Sequence, residues 1–92
     1  MNGSKVIISV LGKDRVGIIA AISGVLATHG GNILDISQTI LEDYFTMIMM
    51  VDLSACDLAF PELKETLVKT GEGIGMQVNI QHTDTFDYMH RI

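Results

Sequence analysis

Lys5-Val6-Ile7-Ile8-Ser9-Val10-Leu11-Gly12-Lys13-Asp14-Arg15-Val16-Gly17-Ile18-Ile19 changes its apolar rhythm part-way along, and that change decides the fold. From Lys5 to Leu11 the period is two. Val6, Ile8 and Val10 alternate with Ile7, Ser9 and Leu11, giving a strand apolar on one face and nearly so on the other, as a central strand requires. Gly12-Lys13-Asp14-Arg15 interrupts it. From Val16 the spacing lengthens, and Ile18, Ile19, Ile22, Val25, Leu26 and His29 share one helical face. Gly30-Gly31 ends that helix with residues that tolerate positive φ.

Working outward, Asn32 to Leu41 reads as a second strand, with Leu34, Ile36 and Ile40 set against Asp35, Ser37 and Thr39; Gln38 is out of pattern on the apolar side. Glu42-Asp43 supplies turn chemistry, and Tyr44 to Leu53 returns as a third strand in a hairpin. Neither face of that strand is polar: Phe45, Met47, Met49 and Val51 point one way, Ile48 and Met50 the other, so something should cover the sheet's second face. Ser54 and Asp57 form a partial capping box ahead of a second helix, and Pro61 is tolerable only in its first turn. Phe60, Leu63, Leu67 and Val68 form its buried stripe, with Gly71 or Gly73 as its stop. Met76, Val78, Ile80 and His82 alternate with Gln77, Asn79 and Gln81 as a fourth strand.

The expected architecture is therefore α+β: a ferredoxin-like βαββαβ sandwich, a four-stranded antiparallel sheet with two helices on one face. One domain spans residues 1–92, with strands at about 5–11, 32–41, 44–53 and 75–82 and helices at about 16–29 and 58–70. The tail 83–92 carries Phe86, Tyr88, Met89 and Ile92 and is expected to pack back on the sheet's second face or on a partner subunit.

Composition narrows the function. A net charge of −5 disfavours a phosphate-backbone partner, whose affinity comes mainly from Lys and Arg. With no Trp, three Phe and two Tyr there is also little on which to stack bases. No apolar run is long enough for a membrane span, and Met1 to Lys5 lacks the features of a signal peptide, so a cytoplasmic location is expected. The single cysteine, Cys56, fits a reducing compartment and reads as a small buried hydrophobe. His29, His82 and His90 lack metal-site spacing, so neither a metal nor a cofactor is expected.

The loop Gly12 to Gly17 lies between a strand end and a helix start, where free N–H groups and the positive end of the helix dipole attract a carboxylate. Asn32 opens the second strand, is expected beside the same end of the helix, and offers amide donors and an acceptor to an amino acid's ammonium and carboxylate. The plain alternatives are that Asp14 caps the helix, Gly12 and Gly17 satisfy backbone geometry and Asn32 is a turn residue. The spacing is neither GxxxxGK[ST] nor GxGxxG, so nucleotide binding has no support.

Gly12-Lys13-Asp14-Arg15-Val16-Gly17-Ile18, together with Gly31-Asn32-Ile33 and the βαββαβ order, resembles an ACT domain over nearly the whole chain. The run Asn32 to Thr39 and the ending Phe86 to Ile92 resemble more narrowly the free-standing bacterial single-ACT proteins. The resemblance implies a regulatory module that binds amino acids or other small molecules between two domains. By position it carries ligand binding onto Gly12, Asp14, Arg15, Val16, Gly17, Asn32 and Ile33. Val16 stands where many members have proline, and Gly12 where some amino-acid binders have a polar side chain.

Between Arg15 and Asp35 there is no charged side chain, and Ala20, Ser23, Gly24, Ala27 and Thr28 make the far face of the first helix small. The expectation is a homodimer in which the second strands pair edge to edge, the first helices lie adjacent, and ligand contacts Asp14 to Gly17 and Asn32 from different chains. The expected output is binding to another protein, the regulated partner being separate or absent. The competing readings are a pure dimerisation module, and an acylphosphatase-like enzyme recruiting Arg15 and Asn32. No nucleophile with a base and an orienting group is legible, so the chain reads as non-catalytic.

Overall fold

A computed structural model describes residues 4–83. The elements run β1 (Lys5–Lys13), α1 (Ile18–His29), β2 (Asn32–Leu41), β3 (Tyr44–Asp52), α2 (Phe60–Gly73) and β4 (Met76–His82). The four strands form one antiparallel sheet in the order β2-β3-β1-β4. The expected βαββαβ architecture is thus the observed one. Of the tail, residues 84–92 lie outside the described residues, and the expected packing of that segment lies there with them.

Register explains the core. Val6, Ile8 and Val10 of β1 stand opposite Val51, Met49 and Met47 of β3, while Ile8 and Val10 also stand opposite Ile80 and Val78 of β4. Because paired residues share a face, these side chains form one apolar floor. Ile18, Ile22 and Leu26 of α1 and Leu63 and Leu67 of α2 close on it from the same side. Most of these residues are fully buried, each stabilising the fold by about 1.5–3 kcal/mol through area removed from water.

Several boundaries differ from the sequence expectation, each for a tertiary reason. β1 does not stop at Leu11 but continues through Gly12 and Lys13, because Gly12 pairs with Phe45 on one side and Met76 on the other. A side chain there has no room: a Cβ on Gly12 would lie 2.6 Å from the carbonyl oxygen of Gly75. α1 starts at Ile18 rather than residue 16, since Gly17 adopts φ +93° as its N-cap, and no side chain caps it. Asp14 is therefore not the cap.

The second helix starts at Phe60, not residue 58. Its cap is Ala59, whose N–H donates to the Glu62 carboxylate at 3.2 Å, while the Ser54 N–H donates to Asp52 Oδ1 at 2.9 Å in a separate turn. Nor does the helix end at residue 70: Gly71 is buried within it, and it runs on to Gly73. β2 carries a bulge between Ile33 and Asp35, so Ile33 and Ile36, not Leu34 and Ile36, stand opposite the buried Val51 and Met49.

Candidate functional site

Four residues, Asp14 to Gly17, turn the chain from β1 into α1. The turn is tied to the β2–β3 hairpin: the Asp14 N–H donates to the Asp43 carbonyl at 2.8 Å, and Lys13 Nζ lies 2.6 Å from Asp43 Oδ2. Lys13 also stands 5.5 Å from the Tyr44 ring centroid. Both partners of the ion pair are mostly exposed, so its contribution is small, about 0.2–1 kcal/mol; its structural effect is to hold loop and hairpin side by side.

The helix starts with its donors free of internal partners. Its first full bond is from the Ala21 N–H to the Gly17 carbonyl at 3.0 Å, so the N–H groups of Ile18, Ile19 and Ala20 precede the first helical bond. These donors lie along an open cleft of about 480 Å³ lined by Asp14 to Ala20 from the loop and first turn, and by Gln38, Ile40 and Phe45 from the sheet. Chemically it offers a helix N-terminus for an anion, the Asp14 and Arg15 charges at the rim, an apolar wall of Ile19, Ile40 and Phe45, and one neutral amide, Gln38.

The structure brings Asp14, Arg15, Val16 and Gly17 together at this cleft, with Val16 96% exposed. Gly12 lies in β1 and does not line it. Asn32 and Ile33 are elsewhere. Asn32 pairs with Asp52, which pairs in turn with Lys5, whereas the cleft lies at the end where Lys13, Tyr44 and Leu41 meet. Eight residue steps of strand, roughly 26 Å, separate the two ends. The expectation that Asn32 stands beside the same end of the helix is thus corrected within one chain: β2 starts where α1 finishes, because α1 carries the chain back across the sheet.

Ile19, Ala20, Gln38, Ile40 and Phe45 were not among the residues expected at the site. Gln38 had a signal, since it breaks the apolar alternation of β2; Phe45 and Ile40 read only as core. β2 is an edge strand, with one side paired to β3, and its Leu34, Ile36, Ile40 and Leu41 are 40–71% exposed. At its other margin, α1 ends at His29, whose Nδ1 lies 2.9 Å from Asp57 Oδ1, so that histidine serves an interhelical tie rather than the core alone.

Residues 4–81 match the ACT domain model. The chain is 56% identical over 89 residues to a UPF0237 protein of Methanocaldococcus jannaschii, covering 97% of this chain and 99% of that one. An ACT domain protein from Streptococcus pneumoniae superposes with a TM-score of 0.79 at 42% identity, over 90% of this chain and 93% of that one. The regulatory subunit of aspartate kinase from Thermus thermophilus, at 22% identity and a TM-score of 0.66 over 85% of this chain and 50% of that one, shares the fold. ACT domains are regulatory modules that bind small molecules, and the similar UPF0237 proteins are free-standing single-ACT chains. With its fold, element order and nearly its full length matched, this chain belongs to the ACT domain family.

Proposed function

We propose that the protein is a non-catalytic, dimeric sensor of a small molecule of the amino-acid class, with each ligand held between two protomers. The observation that carries this is the separation of Asn32 from the Asp14–Gly17 cleft along one exposed edge strand. A twofold axis near the middle of β2, with the strand antiparallel to its copy, reverses its ends. Asn32 of the partner subunit then stands beside Ile40 and Leu41, at the margin of the cleft. With both pairs of helices on one face of the joined sheet, the register must set helix-face residues opposite one another, as Ile36 on Ile36 does.

In that arrangement the ligand carboxylate meets the N–H groups at the start of α1, and the amide of Asn32 from the partner subunit meets its ammonium. An exposed helix N-terminus contributes only about 0.3–1 kcal/mol per charge, so selection depends on the second subunit and on closing the open cleft against water. Ligand binding then favours the paired dimer, and the altered surface is read by a separate protein. The acylphosphatase-like reading needs Arg15 and Asn32 at one centre, and within one chain they stand at opposite ends of the sheet.

Isothermal titration of the purified chain against the twenty amino acids tests the reading. One of them should bind, and Asn32→Ala should abolish the heat while light scattering still reports a dimer. Silence from all twenty, with a dimer intact, would favour the pure dimerisation module instead.

A further inference from the structure

The loop between β1 and α1 is fixed by very little of its own. Asp14, Arg15, Val16 and Gly17 are all exposed, Gly17 caps α1 with no side-chain bond, and a Cβ added at Gly17 would meet nothing within 4 Å. What holds the loop lies 30 positions on from Lys13. Beyond the β1 ladder and α1 itself, every hydrogen bond and ion pair of residues 13–17 among the described residues ends on Asp43: its carbonyl accepts the Asp14 N–H at 2.8 Å, and its carboxylate accepts Lys13 Nζ at 2.6 Å. The Tyr44 ring holds the same ammonium from a second side, its centroid 5.5 Å away. The anchor is itself constrained. Asp43 shares a two-residue turn with Glu42, whose φ of +57° is left-handed, a conformation that a residue with a side chain keeps only where the surrounding chain dictates it.

We propose that Asp43 is a positioning residue for the cleft, setting the direction in which the free N–H groups of Ile18, Ile19 and Ala20 point. Only Arg15, Val16 and Gly17 separate Asp14 from Ile18, so a tie at Asp14 fixes the chain just ahead of the helix start. The carboxylate acts through Lys13, the residue before Asp14, and keeps the Asp14 N–H in register with the carbonyl that accepts it. An exposed pair of this kind adds little to global stability, so its effect is local. Asp43 also belongs to the turn that leaves β2, the edge at which second copies meet in the proposed dimer, so the pairing edge and the cleft share one fixed point. That these donors receive a ligand rests on the sensor reading above; their positioning by Asp43 does not.

Amide exchange of the full chain, followed residue by residue by NMR with no ligand added, tests this. Asp43→Ala keeps the backbone carbonyl and removes the carboxylate. It should speed exchange of the Asp14 amide about two- to fivefold and lower the order parameters of Arg15, Val16 and Gly17, with the Leu63 and Leu67 amides of α2 unchanged. Lys13→Ala should do the same, the double variant should add nothing further, and Asp43→Glu, which keeps the charge, should exchange at the wild-type rate. Asp14 exchange equal to the wild type in both alanine variants, a rise shared by Leu63 and Leu67, or a glutamate variant that behaves like alanine would overturn the assignment. The measurement needs no bound molecule. Silence of all twenty amino acids in titration would therefore end the sensor reading, while the Asp14 amide alone decides the role of Asp43.

Discussion

His29 and Asp57 are joined twice: the imidazole Nδ1 lies 2.9 Å from the carboxylate, and the Asp57 N–H donates to the His29 carbonyl at 2.9 Å. The backbone bond satisfies a carbonyl at the end of α1, and the side-chain pair fixes the turn before α2 against it. With the Asp57 side chain 69% exposed, the pair is a weak one. His29→Ala and Asp57→Ala should each cost about 0.2–1 kcal/mol, and the double variant should cost less than their sum. Urea denaturation of the four proteins checks this; strict additivity would show that the pair contributes nothing.

Two glycines of α2 should respond oppositely to alanine. A Cβ on Gly71 would be driven into the Val78 side chain and stand 3.0 Å from the Met76 carbonyl oxygen, so α2 touches β4 through bare backbone there. Gly71→Ala should destabilise by about 1–3 kcal/mol by overpacking. At Gly73 a Cβ meets nothing within 4 Å, and Gly73→Ala should stabilise by up to about 1 kcal/mol through lower backbone entropy in the unfolded chain. Thermal melting of both variants decides it, and equal shifts would refute the packing argument.

Ile36 is 40% exposed at the middle of the free edge of β2. Ile36→Lys places a charge where the proposed dimer buries two copies of the same residue. The dimer dissociation constant should rise at least about tenfold, the equivalent of 1.4 kcal/mol, with little change in the stability of the monomer. Sedimentation over a range of concentrations measures it. An unchanged dimer would move the interface to another surface.

Asp52 supplies the pH dependence. Its carboxylate accepts the Ser54 N–H and is further favoured by the Ser54 hydroxyl, then by Ser4 and Lys5, which outweigh partial desolvation and hold it below the ordinary value of 3.8. A carboxyl whose folded value is depressed adds stability that is complete above the unfolded value and lost as pH falls through the folded one. The wild-type chain should therefore lose stability below about pH 4 more steeply than Asp52→Asn does. Parallel acid titrations followed by circular dichroism test this; superimposable curves would remove Asp52 from the acid response.

The alternation of β1, β3 and β4 and the helical spacing from Ile18 to Leu26 were legible because they are local: a period of two or 3.6 is printed in consecutive residues whatever lies nearby. The out-of-pattern Gln38 was legible in the same way, but only the tertiary structure places it at the cleft. Boundaries were less legible because they are settled by neighbours far away in sequence. Gly12 looks like loop until Phe45 and Met76 pair with it, and Gly71 looks like a stop until Val78 requires a residue without a side chain.

By itself, then, the sequence determined the element order, the buried face of each element but β2, and the loop ending at Gly17 that turns β1 into α1. Only the tertiary structure decided that Asn32 stands at the far end of β2 from that loop. The reason is directional: periodicity carries no information about which end of a strand meets which, and that is set by antiparallel pairing across residues dozens of positions apart.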